Sequence, residues 1–118
     1  MKFRVDKEHG DVAYLHIEGQ ISQRSLSPVA DPIKDLLGVE AYKKKVLLDL
    51  SGTSMVDSSG IGWMIMVNKR FKEHGGQMVL HSYTPLVANT FKLMRIDQVL
   101  HLCHSLQDAD SLVTGGSK

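Results

Sequence analysis

"VLLDLSGTSMVDSSGIGWMIMVNKRFKEHGGQMVL", Val46–Leu80, decides how the chain is read. It opens on Val46–Leu50, an apolar run broken only by Asp49. A run of that kind is typical of a strand covered on both faces. A short connector leads to Asp57-Ser58-Ser59-Gly60. A nearly all-apolar helix follows, from about Ser59 to His74, and Gly75-Gly76 is its stop signal. "QMVLHSY" is the next strand. A strand, a helix and a strand in succession argue for a parallel pair with the helix packed across it.

Upstream, "FRVDKEHGDVAYLHIEG" reads as a hairpin turning at "HGD". Ala13, Leu15 and Ile17 alternate onto one face, Tyr14, His16 and Glu18 onto the other. Leu26, Val29, Ile33, Leu36 and Leu37 are spaced for a helix, but Pro28 and Pro32 interrupt it. Asp31 as cap with Pro32 in the first turn starts the regular part, leaving 22–30 as a loop or distorted turn. Downstream, Thr84 and Pro85 open a third helix, "IDQVLHLC" is a short strand, and Ser105 caps a last short helix. The order is β-β-α-β-α-β-α-β-α. The expected fold is α/β, a single mixed sheet with an opening hairpin and helices on one side. One domain spans 1–113, and 114–118 is a frayed tail.

Bulk properties exclude several functions. The 118 residues carry a net charge of only +1, which is no footprint for nucleic acid or an anionic membrane. The one cysteine, Cys103, permits no internal disulfide, and a reducing compartment fits. "MKFRVDKEHG" has no apolar run of a signal peptide, and Ile61–Val67 is too short to span a bilayer. A cytoplasmic protein is expected.

The acid, two serines and glycine before the apolar helix admit four readings. Asp57 and the serines suit an N-cap. A nucleophile elbow would need glycines where Val56 and Asp57 stand. A phosphate loop would need a lysine after Gly60, where "IGWMIMV" follows. Phosphorylation is physically apt, because a helix start offers free amides and the positive end of the dipole. The added charge of about −1.5 to −2 would then leave the fold intact and act on a partner. On a helical wheel Ile61, Met64, Val67, Asn68 and Phe71 form the core face, and Met66, Lys69 and Glu73 lie opposite. Trp63 and Arg70 fall between, so Trp63 and Met66 are either core or part of an exposed contact patch near Ser58.

The same residues carry a resemblance. The stretch from Lys45 to Leu102 looks like the STAS domain of anti-sigma factor antagonists. Its marks are a strand ending in D-L, V-D-S-S-G-I-G, a helix ending in G-G, a strand, and "YTPLVANTFKLMRIDQVLHL". The resemblance implies a binding module and no enzyme, with no cofactor of its own. Its partner would be an anti-sigma factor that is itself a serine kinase, the owner of magnesium and ATP. Phosphorylation of Ser58 would end the interaction, and a phosphatase would restore it. Asp57, Ser59 and Gly60 would complete the phospho-loop. Gly62, Trp63, Met66 and Arg70 would form the partner-binding face. Where the family often has an acidic G-x-L-D, this chain reads "GQIS", Gly19–Ser22. STAS domains also serve as constitutive scaffold subunits in stress-signalling and lipid-transport complexes, and as tails of anion transporters. The last would need membrane segments.

Other residues invite plainer readings. His101, Cys103 and His104 make no standard metal set, and no metal is expected. Cys103 has no neighbouring cation or base to activate it. His16 reads as a surface residue, and "YKKK", Tyr42–Lys45, as a solvated basic run before a buried strand.

Overall fold

A computed structural model describes residues 1–27 and 30–115. The reading of Pro28 and Val29, and of the tail at 116–118, lies outside them. The chain forms β1 (Lys2–His9), β2 (Val12–Ile21), α1 (Pro32–Leu37), β3 (Lys45–Val56), α2 (Ser58–His74), β4 (Gln77–His81), α3 (Pro85–Leu93), β5 (His101–Cys103) and α4 (Leu106–Val113). Short 3-10 turns occupy Ala41–Lys43 and Ile96–Gln98. The five strands lie in sequence order in one sheet. β1 and β2 are antiparallel, and the other pairs are parallel. The expected mixed α/β sheet and the order of its elements are thus observed.

Local chemistry sets the boundaries. Asp31, Asp57, Thr84 and Ser105 each cap a helix, their side chains accepting amides at Lys34, Gly60, Val87 and Asp108. Pro32 and Pro85 sit in first turns, where a missing N–H costs nothing. Gly75 ends α2 in the left-handed region, at φ 86°.

β3 runs further than its apolar run suggests. The connector 51–56 continues the strand to Val56, because β2 goes on pairing with it after β4 has ended at Asp49↔His81. The expected strand at 96–103 is shorter, since Ile96–Gln98 winds into a 3-10 turn.

The main core lies on one face of the sheet. Leu15, Ile17, Val46, Leu48, Met78 and Leu80 meet Ile33 of α1, Met64, Val67 and Phe71 of α2, and Val87 and Phe91 of α3. The helical-wheel core face of α2 is buried as expected, and Met66, Lys69 and Glu73 are exposed. The one-sided helix layer needs a correction. α4 packs on the opposite face, where Ala109 and Val113 cover Val12, Leu47 and Val79. Alternation requires this: with Val46 and Leu48 turned to the first face, Leu47 must turn to the second. Covering a leucine there contributes about 1.5–3 kcal/mol.

Two single-residue readings also change. Tyr42 is buried rather than solvated, edge-on to Phe71 at 4.9 Å. His16 is 7% exposed, enclosed between Asp49 and Glu18.

Candidate functional site

The site is built where β2 and β3 end side by side and α2 begins. Ile21 and Val56 are partners in the parallel ladder. The chain turns at Asp57, whose own N–H donates to Ile21 O at 3.3 Å. The Asp57 carboxylate then grips both loops. Its Oδ1 accepts the Gly60 amide at 2.9 Å, and its Oδ2 accepts the Gln23 amide at 3.2 Å. The Gly60 amide does most to hold this carboxyl below the usual carboxylate range, assisted by Gln23 and Ser59.

Gly60 is fixed by a different cause. A Cβ there would stand 2.1 Å from Ile21 O and 2.9 Å from Val56 Cγ1. Only glycine lets the first turn of α2 rest against the ends of β2 and β3. Ser58 and Ser59 point outward and are exposed at the first two helical positions. Asp57 and Gly60 therefore hold the turn, and Ser58 is presented.

Beside the serines lies an open groove of about 410 Å³. One wall is the α2 surface, with Ser59, Gly62, Trp63, Met66 and Arg70. The other is the loop after β2, with Gln23, Leu26, Ser27 and Ala30. The four residues expected to face a partner are thus brought together, along with Ser59. Met66 is 43% exposed but Trp63 is only 9% exposed, so the two alternatives divide, Met66 facing out and Trp63 joining the core. The indole meets the Phe3 ring edge-on at 5.9 Å and closes the floor of the groove. A Cβ at Gly62 would meet open space, so no described residue covers the groove at that turn.

Arg70 ends the groove under restraint. Its Nη1 is 3.3 Å from Asp31 Oδ2, and its guanidinium lies 5.9 Å from the Tyr42 ring centre. Asp31 also accepts the Tyr42 hydroxyl at 2.6 Å while capping α1. Burial, with that hydrogen bond second, pushes the Tyr42 phenol up to about 12. One carboxylate so fastens α1, the turn before β3 and the outer edge of α2.

Gln23, Leu26, Ser27 and Ala30 escape the sequence reading. Their stretch has neither a clean period nor a chemical motif. "GQIS" carries the end of β2 into this loop. Ser25 Oγ accepts the Ser22 amide at 2.9 Å and lies 2.7 Å from Gln20 O. The described residues of this wall of the groove carry no charge, Gln23 and Ser27 being polar and Leu26 and Ala30 apolar. His101 and His104 are exposed and, among the described residues, belong to no cluster of metal-ligating groups, and burial pushes the Cys103 thiol up, away from reactivity. Among the described residues, no helix is long and apolar enough to cross a membrane.

The family model for the STAS domain matches residues 4–109. Among solved structures, a Thermotoga maritima protein assigned as an anti-sigma factor antagonist superposes with a TM-score of 0.79 at 19% identity. The alignment covers 96% of this chain and 93% of that one. A STAS anti-sigma factor antagonist protein from Planctomyces limnophilus gives 0.70 at 24% identity, over 98% of both chains. The anti-sigma factor antagonist SpoIIAA in its unphosphorylated form gives 0.67 at 13% identity, over 98% of this chain and 100% of that one. At these identities the structural likeness is one of fold. With the family model spanning most of its length, and with the mixed sheet and the Asp57–Gly60 turn in place, the chain belongs to the STAS domain family.

Proposed function

We propose that this chain is an anti-sigma factor antagonist, switched off by phosphorylation of Ser58. The observation that carries the reading is the division of labour at the start of α2. Asp57 and Gly60 are locked into the fold, while Ser58 is exposed one turn from an open apolar groove. In this reading the unmodified domain binds an anti-sigma factor serine kinase in the cytoplasm. Met66, Gly62 and the edge of Trp63 receive an apolar side chain of the partner, and Arg70 marks the groove's end.

A phosphate on Ser58 would add about −1.5 to −2 charge at neutral pH. The Asp57 carboxylate already holds the Gly60 and Gln23 amides, so the phosphate must share a crowded helix start with another anion. Helix-dipole stabilisation keeps the domain folded. Repulsion and the desolvation cost fall on the interface instead. The kinase does the chemistry, and this chain is its substrate; a phosphatase reverses the step.

The test pairs binding with modification. The parent chain, Ser58→Ala and Ser58→Asp are titrated against the serine-kinase anti-sigma factors of the same organism. Ser58→Asp should bind at least about tenfold more weakly, a loss near 1.4 kcal/mol, while Ser58→Ala binds like the parent. Tandem mass spectrometry of protein from its native host should find phosphate on Ser58 that varies with condition. Equal affinities, with Ser58 unmodified in a protein that still co-purifies with partners, would replace the switch by a constitutive scaffold subunit of a signalling or lipid-transport complex.

A further inference from the structure

The second face of the sheet carries a row that the groove does not use. Register sets Arg4, His16, Asp49 and His81 side by side on β1 to β4. Asp6 joins them through the irregularity between Val5 and Lys7, of the sort that re-aims a side chain. Together with Leu106 at the start of α4, Asp6, Asp49 and His81 line a hollow of about 250 Å³.

Asp6, His16 and Asp49 each offer one ligand atom, and these atoms lie within 4.8 Å of one another. The His16 side chain is 9% exposed, and its Nδ1 is buried with no hydrogen-bond partner. That nitrogen lies 3.3 Å from Asp49 Oδ2. The other carboxylate oxygen of Asp49 is taken by the Ser51 amide at 2.8 Å. Two ligands held about 2.0–2.1 Å from one tetrahedral ion stand about 3.3 Å apart. The spacing is therefore that of neighbouring ligands around a metal.

We propose that Asp6, His16 and Asp49 bind a divalent transition-metal ion of the zinc class, with water completing the shell. One imidazole excludes the all-oxygen preference of calcium and magnesium, and the absence of thiolate from the set disfavours the softest ions. Glu18 Oε2 lies 3.3 Å from His16 Nε2 and favours the proton there, leaving Nδ1 as a lone-pair donor. The remaining charged neighbours permit the site. Arg4 Nε pairs with Asp6 at 2.8 Å, but both are partly solvated and Arg4 has Glu18 as a second partner at 3.7 Å. Lys7 Nζ is drawn over the Tyr14 ring at 4.6 Å. His81, opposite Asp49, has Nδ1 2.8 Å from Ser82 Oγ. The bound ion would tie β1, β2 and β3 together.

Metal-stripped full chain is titrated with Zn²⁺ by calorimetry and with Co²⁺ by visible absorption. The expected result is one equivalent bound, with the Co²⁺ bands of a four-coordinate nitrogen–oxygen site. Asp6→Asn and Asp49→Asn should each weaken Zn²⁺ by about tenfold or more, and a His101→Ala/His104→Ala chain should bind unchanged. Asp6 is exposed, so its variant should melt like the parent in the absence of metal, which separates lost ligation from lost folding. No saturable binding, binding that survives both Asp variants, or binding that vanishes with His101 and His104 would overturn the site.

Discussion

The two faces of the sheet are finished in different ways. The first is covered by α1, α2 and α3, and its named acids sit at the rim, at Asp57 and Asp31. The second is covered by the eight-residue α4, and ionisable groups stand on the strands themselves, at His16, Asp49 and His81. A broad apolar layer can exclude charge completely and display it at its edges. A narrow one leaves strand positions that polar side chains must seal by enclosing one another.

The largest test of that contrast is cavity formation on each face. Phe71→Ala, on the first, should cost about 3–5 kcal/mol, because the ring is fully buried and packed edge-on against Tyr42. Leu47→Ala, on the second, should fall near the lower end of the 2–5 kcal/mol range, about 2 kcal/mol, because α4 can settle into the space. Urea unfolding of both variants measures the difference; equal losses would show the two layers to be equally rigid.

A smaller effect sharpens the distinction between holding and presenting within α2 itself. Gly60→Ala drives a methyl against Ile21 O and should cost about 1–3 kcal/mol. Gly62→Ala meets nothing and should stabilise the helix by about 0.5–1 kcal/mol. Thermal melts of the pair check the signs, and a destabilised Gly62→Ala would contradict the open groove.

The smallest effect compares the two carboxylates. Both Asp57 and Asp49 are held below the ordinary carboxylate value of 3.8. At Asp57 the Gly60 amide is the chief cause. At Asp49 burial is the largest influence and raises the value, but the hydrogen bonds from Ser51, with the neighbouring imidazoles of His16 and His81, outweigh it. A lowered folded value means that each contributes stability at neutral pH and loses it as pH falls below 3.8 through the folded value. Asp57→Asn keeps a good cap and should flatten the acid limb of the stability profile, read by denaturant midpoints from pH 5 downward. An unchanged limb would mean that Asp57 contributes nothing beyond the cap.

What was legible in the sequence was what depends on near neighbours. Caps at Asp31, Thr84 and Ser105, the stop at Gly75 and the wheel of α2 are all encoded within a few residues. The exposure of Met66, Lys69 and Glu73 was legible for the same reason, since helical spacing places them opposite the core face. What failed depends on partners far along the chain. Alternation puts His16 on the second face but does not say that Asp49, thirty-three residues on, will lie beside it. The run Val46–Leu50 implied cover on both faces, yet only the packing of Ala109 and Val113 identifies α4 as the second cover. The far wall of the groove, at Gln23, Leu26, Ser27 and Ala30, falls where prolines interrupt the helical spacing, so no face could be read for it.

The fixed pair at the start of α2 has a consequence for redesign. Because Asp57 and Gly60 carry the geometry, positions 58, 59 and 62 are a writable address on a fixed frame. Under the proposed function, substituting there and compensating on the partner would generate insulated signalling pairs from one scaffold, with each new pair spared the problem of folding again.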